Sequence, residues 1–425
     1  MVWKALGAGA LCALAALPLS AAGFSIFEQG SKAMGMAGAF TAQADDPSLL
    51  FHNVGGLGFV EDRQFSVGVT WIHALKADFE GDNPFPGAGY EAEQKKLSEF
   101  PPHAYWVQPI NATWKFGLGL MTPFGLTTEW DNPDEFAGRF LSTKAALRVI
   151  DLQPTLGWQV NPRFSIGIGA IARFSDVELN RNVPRIFPGL GAVDIGKLNL
   201  ESDFDEGFGF TVGLLHKATD RFSWGLSYRS GIKVEYGGDA RLTQVSTGNA
   251  AIDALVRAGA PFDRDLPVET AIDFPDEASL GLAFGITPNL LVETDINYTG
   301  WSSFDKVKID FTDNSLPDTT LPEKYDDAFN YRLGLRWTQG NGHQWRFGYV
   351  YDETPQPEEA VSPLLPDANR NGFTVGYGLN HLDLAFMYLL FDERTRSRNF
   401  PGEGASTFFG TYDTEAILLA ATVNF

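Results

Sequence analysis

The 425-residue chain has one cysteine, Cys12, and it lies in the first turn-length stretch of the sequence. A disulfide framework and a cysteine metal cluster are therefore excluded. Histidine is scarce as well: His52, His73, His103, His216, His343 and His381. These six fall mainly in expected turns, strand ends and the N-terminal segment. None has an elbow serine, an acid partner or HExxH spacing, which argues against a hydrolase and against a catalytic metal. No catalytic residue, metal or cofactor is implied. Gly167-Ile168-Gly169-Ala170-Ile171-Ala172 mimics a dinucleotide fingerprint, but no helix follows it. Basic residues are outnumbered, 32 against 53 acidic ones, for a net charge of −21. No basic surface is implied, so nucleic acid is not an expected partner. Beyond the start of the chain, no apolar run is long enough for a helix through a bilayer.

Residues 1–22 read as an export leader. Lys4 is its only charge, Ala5 to Leu17 is apolar, and Ser20-Ala21-Ala22 offers small residues for cleavage. Cleavage after Ala22 fits best, with Ala21 as the alternative, and either removes the sole cysteine.

Glycine (45 residues) and aromatics (13%) are plentiful, a mix suited to many strands joined by turns. Bulky and small or charged residues alternate repeatedly. Trp114, Phe116, Leu118 and Leu120 interleave with Lys115, Gly117, Gly119 and Met121. The same rhythm runs from Phe164 to Arg173, Phe222 to Arg229, Tyr331 to Thr338, Trp345 to Asp352 and Leu382 to Leu389. The chain closes on Ile417, Leu419, Ala421, Val423 and Phe425, all on one face of a strand. That last strand alone suits a soluble sandwich equally well. The spacing of turns decides. Short turns at 111–113, 161–163, 219–221, 287–289, 340–343 and 380–381 separate long polar connections at about 75–101, 126–142, 183–196, 237–267, 311–322, 354–368 and 394–411. Short turns on one side and long loops on the other mark an outer-membrane barrel. The fold class is all-β: a transmembrane antiparallel β-barrel of about fourteen strands, residues 63–425, its bulky faces toward lipid. Residues 23–62 lack strand alternation but keep Phe24, Ile26, Phe27, Leu49, Leu50 and Phe51. They are expected to form a compact N-terminal hatch inside the lumen, because a barrel this wide is not filled by its own side chains.

Several stretches resemble the FadL family of outer-membrane transporters for long-chain fatty acids, which includes aromatic-hydrocarbon importers of the TodX type. They are Gly23 to Gln29, Gly35 to Ala39, Ala44 to Pro47, Thr122 to Leu126, Tyr298 to Phe304, Asp327 to Gly334 and Pro366 to Arg370. The resemblance implies a fourteen-stranded barrel, an N-terminal hatch and a kinked third strand that opens sideways into the membrane. It makes Pro123 and Gly125 candidates for the kink; their plainer role is to end a strand before a loop. The family's hatch motif Asn-Pro-Ala appears here as Asn53-Val54-Gly55, and the missing proline puts hatch rigidity in question.

A long acyl chain needs apolar surface and a grip for its carboxylate. The expected outer groove joins Ile186, Phe187 and Leu190 to a short helix from Asn249 to Gly259, with Ile252, Leu255 and Val256 on one face. Arg173, Arg229, Arg332, Arg336 and Arg346 are lumen candidates for the carboxylate, each also suited to pairing with wall acids. The implied function is passive import of hydrophobic molecules, fatty acids foremost, across the outer membrane of a Gram-negative-type bacterium. A monomer in contact with membrane lipid and lipopolysaccharide is expected. The alternatives are an aromatic-hydrocarbon importer of the same fold and a general diffusion porin.

Overall fold

The structure, a computed structural model, describes residues 23–401 and 408–425. The expected leader, residues 1–22, lies outside the described residues, as does part of the last long connection.

Fourteen antiparallel strands are formed by the described residues. They are β1 (Gln64–Gly81), β2 (Pro102–Pro109), β3 (Trp114–Met121, resumed at Gly125–Glu129), β4 (Lys144–Asn161), β5 (Phe164–Phe187), β6 (Gly191–Ser202, resumed at Asp205–His216) and β7 (Phe222–Arg229, resumed at Ile232–Gln244). Then follow β8 (Asp265–Phe274, resumed at Glu277–Thr287), β9 (Leu290–Thr299, resumed at Lys306–Phe311), β10 (Ala328–Thr338), β11 (Gln344–Asp352), β12 (Arg370–Leu379), β13 (Leu382–Phe391) and β14 (Gly410–Asn424). Each pairs with the next, and β14 returns to β1 in a long ladder from Ser66↔Asn424 to Gly81↔Gly410. The closed barrel leaves no edge, as hydrocarbon requires. No helix among the described residues is long and apolar enough to cross a membrane.

Burial follows the period of two. On β5, Ser165, Gly167 and Gly169 are buried while Ile168 is exposed; on β13, Asp383, Ala385 and Met387 point in while Leu382, Leu384 and Phe386 point out. The six short turns fall where the sequence places them and gather an aromatic belt, with Trp114 stacked on Trp158 and Phe222 on Phe284.

Strand continues into several of the expected long connections, at 75–81, 126–129 and 237–244, and furthest at 183–196. Residues 183–196 are not a loop, because β5 and β6 continue beyond the membrane band as a paired hairpin, down to Phe187↔Gly191. Their outer halves enclose a second apolar core of Leu198, Leu200, Leu242, Leu266, Ile309 and Phe311. Burial on one side makes these stretches strand, despite their polar outward residues.

Residues 23–60 are almost wholly buried and touch the wall all round, from β1 (Thr70 to the Glu28 carbonyl) through β6 (Asn53 to the Leu214 carbonyl) to β14 (Ser31 to Thr422). They form two single-turn helices, Ser31–Met34 and Leu49–His52, and a 3-10 turn, Val54–Phe59. The wall's inward glycines make room for them. A Cβ on Gly213 would stand 2.2 Å from Asn53 Oδ1, and one on Gly348 2.5 Å from the Ala37 nitrogen. The alternation that put glycine on the inner face of these strands therefore has a packing cause: the inner segment lies directly on backbone.

Candidate functional site

The site is a break in the wall. Strand β3 stops at Met121 and resumes at Gly125. Its ladder with β2 ends at Ala104↔Leu120, beside Pro101 and Pro102, which have no N–H to offer. The outer half of β3 pairs with β4 on one side; on the other it meets no part of β2, and only its upper end is bonded, by Glu93 to Lys95. On the side that β2 vacates, the backbone of 123–125 is taken up by the N-terminal segment. The Ile26 N–H donates to the Pro123 carbonyl at 2.8 Å and the Gly125 N–H to the Phe24 carbonyl at 3.0 Å. Gln29 completes the contact, donating to the Thr122 carbonyl (2.7 Å) and accepting from the Thr122 N–H (3.1 Å). Pro123 thus stands inside the interruption and Gly125 at its upper edge; the strand continues past both.

The first described residues are latched. The Gly23 N–H donates to the buried Asp367 carboxylate at 2.8 Å, in the loop before β12. Phe24 sits in an aromatic cage, with Trp301 at 4.7 Å, Phe304 at 5.3 Å and Phe124 at 6.0 Å between ring centres. Ile26 lies against Gly125, and Phe27 lies beneath the Arg332 guanidinium at 4.4 Å.

Deeper in the lumen, Glu293 and Asp295 on the inner face of β9 accept four donors from the inner segment. Asp295 takes the N–H groups of Phe40 and Thr41, each at 2.9 Å; Glu293 takes the Ala42 N–H and the Gln43 amide, each at 2.6 Å. Asn53 donates to the carbonyls of Thr41 and Leu214 and accepts from Gly55, so it caps the 3-10 turn and ties it to β6. Val54, where the family motif has proline, is buried against Gly167 and Gly213, so packing supplies the restraint that a fixed dihedral would have given.

The five arginines have different surroundings. Arg173 makes a two-bond pair with Asp151 (2.8 and 2.9 Å) under Phe124 and Phe274. Arg229 lies 3.6 Å from the same Asp151 and 3.7 Å from Glu277. Arg346 pairs with Asp383, and Arg336 with Asp45, which also holds Lys32. Arg332 makes no ion pair among the described residues; it donates to Asn330 and to the Ala37 carbonyl. Arg229 and Arg332 line one cleft with His52, Phe27, Phe51 and Glu277. With only about 30 Å³ free, the cleft holds a water or two and no acyl chain until something moves.

His52 is held neutral in that cleft. Burial, then Arg332 and Arg229, lower its pKa from 6.5 to about 3. Between those values the unfolded or released segment binds a proton that the docked one does not. The docked state therefore loses stability as pH falls through that window. Protection factors at residues 50–55, which remove the intrinsic pH dependence of amide exchange, are expected to fall from pH 6.5 to 4, and His52→Gln is expected to flatten that dependence.

The outer groove residues are less gathered. Ile186 and Leu190 stand at the tip of the β5–β6 hairpin, 81% and 63% exposed. The helix Ala250–Gly259 is capped by the Asn249 side chain, as its sequence predicts. Val256 is buried but Leu255 is exposed, so Ile252, Leu255 and Val256 do not share one buried face. Leu255 follows the helix round to solvent because the buried stripe runs through Val256 alone. Sequence reasoning missed the Asp367 latch and the Glu293/Asp295 anchor. The second was visible in principle: Glu293, Asp295 and Asn297 repeat on the inward face of a strand, where an acid without a cation needs backbone donors.

Comparisons with known proteins bear on the family and the fold. The model of a family described as outer membrane protein transport protein (OMPP1/FadL/TodX) matches residues 12–425. A long-chain fatty acid transport protein of Escherichia coli O6:H1 is 24% identical over 92% of this chain and 93% of its own. Outer membrane protein P1 of Haemophilus influenzae is 24% identical over 88% of this chain and 87% of its own. Among solved structures, a Pseudomonas aeruginosa FadL homologue superposes with a TM-score of 0.82 at 21% identity, covering 95% of this chain and 99% of its own. The Pseudomonas putida toluene transporter TodX does so at 0.68 and 17%, covering 95% and 99%.

Proposed function

The chain belongs to the outer membrane protein transport family (OMPP1/FadL/TodX), and from that premise we propose that it imports hydrophobic small molecules, long-chain fatty acids first, by passive diffusion through a gap in its wall. The observation that supports this reading is the break in β3, where the backbone of 123–125 is held by the N-terminal segment and not by a neighbouring wall strand.

Residues 23–62 act as the hatch. In the resting state Phe24 fills the apolar cage behind the gap. A lipophile caught on the outer apolar core of β5 to β9 displaces it, because the cage serves any apolar body of that size. Burying a methylene is worth about 0.8 kcal/mol, so a long tail readily exceeds the contribution of one phenyl ring. Release of the Ile26 and Phe24 hydrogen bonds then opens the gap sideways to lipid. No energy source or cofactor enters, and a single chain suffices, since the barrel closes on itself.

Arg332 is the best-placed grip for a carboxylate. Arg173 and Arg229 share Asp151, and Arg229 also meets Glu277, whereas Arg332 faces the cleft with no direct ion pair among the described residues, Asp352, Glu28 and Asp295 acting on it only through space. A charge-assisted hydrogen bond contributes about 1.5–3 kcal/mol. Arg332→Gln is therefore expected to lower affinity for a fatty acid relative to its methyl ester by roughly tenfold. Comparing acid with ester separates this role from the Arg332 bond to the Ala37 carbonyl, whose loss affects both alike.

Mass spectrometry of lipophiles that copurify with the protein tests the substrate, followed by growth on the compounds found. Recovered long-chain acids support the reading. Recovered monoaromatics change the substrate and leave the route intact. Conductance to sugars with no bound lipophile overturns it in favour of a porin.

A further inference from the structure

The wall has a second seam, between β6 and β7, three strands on from the β3 break. The ladder between β6 and β7 runs from His216↔Trp224 to Thr211↔Arg229 and then stops. It resumes only at Ser202↔Gly238. Between those points, Asp203 to Phe210 face Ser230 to Gly237 without a regular ladder. The two ends of this stretch are closed individually. Ser230 and Phe210 exchange bonds at one end, and Asp203 and Asp205 bond Gly237 at the other. Among the described residues no backbone bond crosses from Glu206–Gly209 to Gly231–Tyr236.

The strands overlap there like a lap joint. A Cβ on Gly209 would lie 2.6 Å from Ile232 Cγ1, and one on Gly207 2.6 Å from the Lys233 carbonyl oxygen. So β7 passes inside two glycines of β6, and side-chain contacts seal the joint: Ile232 and Val234 lie under the glycines and Tyr236 bonds the Ser175 hydroxyl at 2.8 Å. Side-chain contacts yield at far lower cost than a ladder of hydrogen bonds in lipid. On the inner side, Ile232 and Val234 belong to the apolar cluster that contains Phe24 and Phe124. On the outer side, Phe208 and Phe210 stand 73% and 48% exposed in the lipid-facing band. Directly below Phe210, an almost wholly apolar groove of about 450 Å³ runs down the outer wall, lined by Val212, Leu214, Leu226, Tyr228, Leu280 and Ile296. Sheet walls are ordinarily filled flush by alternating side chains, so a groove that ends at an unladdered seam is a paired feature.

We infer that the groove and seam form a second lateral opening, by which a single unbranched hydrocarbon chain dissolved in the outer membrane passes between lipid and the Phe24 cluster. The occupant is a chain and not a headgroup-bearing lipid, because the groove is almost wholly apolar and offers a polar head nothing to bind. When Phe24 leaves its cage, Ile232 loses part of its inner support, so the two openings respond to the same event. The inference rests on the transport of lipophiles proposed above and adds a route to it.

A Gly209→Cys/Ile232→Cys pair tests this in a mature chain that has no other cysteine. Heat-modifiable electrophoretic mobility verifies assembly. Oxidation is expected to lower uptake of hexadecanoic acid several-fold, with recovery on reduction. Undiminished uptake by the crosslinked protein overturns the inference. Should the pair not assemble, the wild-type protein decides. Hexadecanoic acid carrying a terminal diazirine is expected to label Phe208, Ile232 or Val234 on illumination, and labelling confined to the β3 break and the cleft overturns it. If wild-type protein takes up no lipophile at all, it is the transport reading that fails.

Discussion

Uptake is expected to fall to background when Ser25 and Phe124 are both replaced by cysteine and oxidised, and to return when the bond is reduced. The two residues face each other across an isolated antiparallel bridge, flanked by the Ile26–Pro123 and Gly125–Phe24 hydrogen bonds. That is the non-hydrogen-bonded type of pair, whose Cα atoms lie about 4.5 Å apart, within reach of a disulfide. With Cys12 in the expected leader, no competing thiol remains. The bond would fix Phe24 in its cage and the N-terminal segment in the gap. A covalent staple removes the open population outright, so the loss should exceed about tenfold in initial rate of fatty-acid uptake. Wild-type uptake in the oxidised double variant would rule out exit at β3. Reversal by reductant distinguishes gating from misassembly, and the single variants, which cannot crosslink, should show no loss of uptake on oxidation.

The second large effect is expected at Gly213. Any side chain there meets Asn53 Oδ1 at 2.2 Å and the Gly55 nitrogen at 2.5 Å, so Gly213→Val cannot coexist with the inner segment in its present place. The wall strand is held on both sides, whereas the segment is held by individual contacts, so the segment moves. Overpacking of this kind costs about 1–3 kcal/mol or more. Planar-bilayer recording is expected to show a steady conductance in Gly213→Val that the wild type lacks. Gly237→Val is the control, because a Cβ there meets nothing within 4 Å. If Gly213→Val stays silent and folded, residues 23–62 do not block the lumen.

A smaller effect is expected at the latch. Asp367→Asn keeps the shape but weakens the bond to the Gly23 N–H, and is expected to raise basal uptake a few-fold without changing heat-modifiable mobility. Unaltered basal uptake would mean that the aromatic cage alone holds the segment.

Much of this architecture is legible in sequence because the bilayer imposes a period of two on every wall strand. The bulky face of Phe222, Trp224, Leu226 and Tyr228 could only be lipid, and the short turns are marked by Asn, Pro and Asp at fixed places. The extension of β5 and β6 beyond the membrane was not legible. There both faces meet water or a small apolar core, and residues such as Pro184, Arg185 and Asp194 read as loop. The arginines were placed on the correct face, but their partners depend on register between strands. Asp151 meets Arg173 only because β4 and β5 pair at that step. The Asp367 latch joins residues that lie at opposite ends of the chain, and no local pattern announces such a contact.

The same long-range character governs how the molecule is made. Phe425 exchanges two backbone bonds with Phe65, and their rings stack. The cylinder therefore cannot be zipped shut before β14 has been made and brought to β1. By then the amino-terminal segment must already lie in the space being enclosed, since the finished wall admits no forty-residue insert. Order of synthesis and order of enclosure are thus opposed: what emerges first is imprisoned by what emerges last. Chains clipped at the carboxyl end should accumulate as open ribbons with a protease-sensitive front.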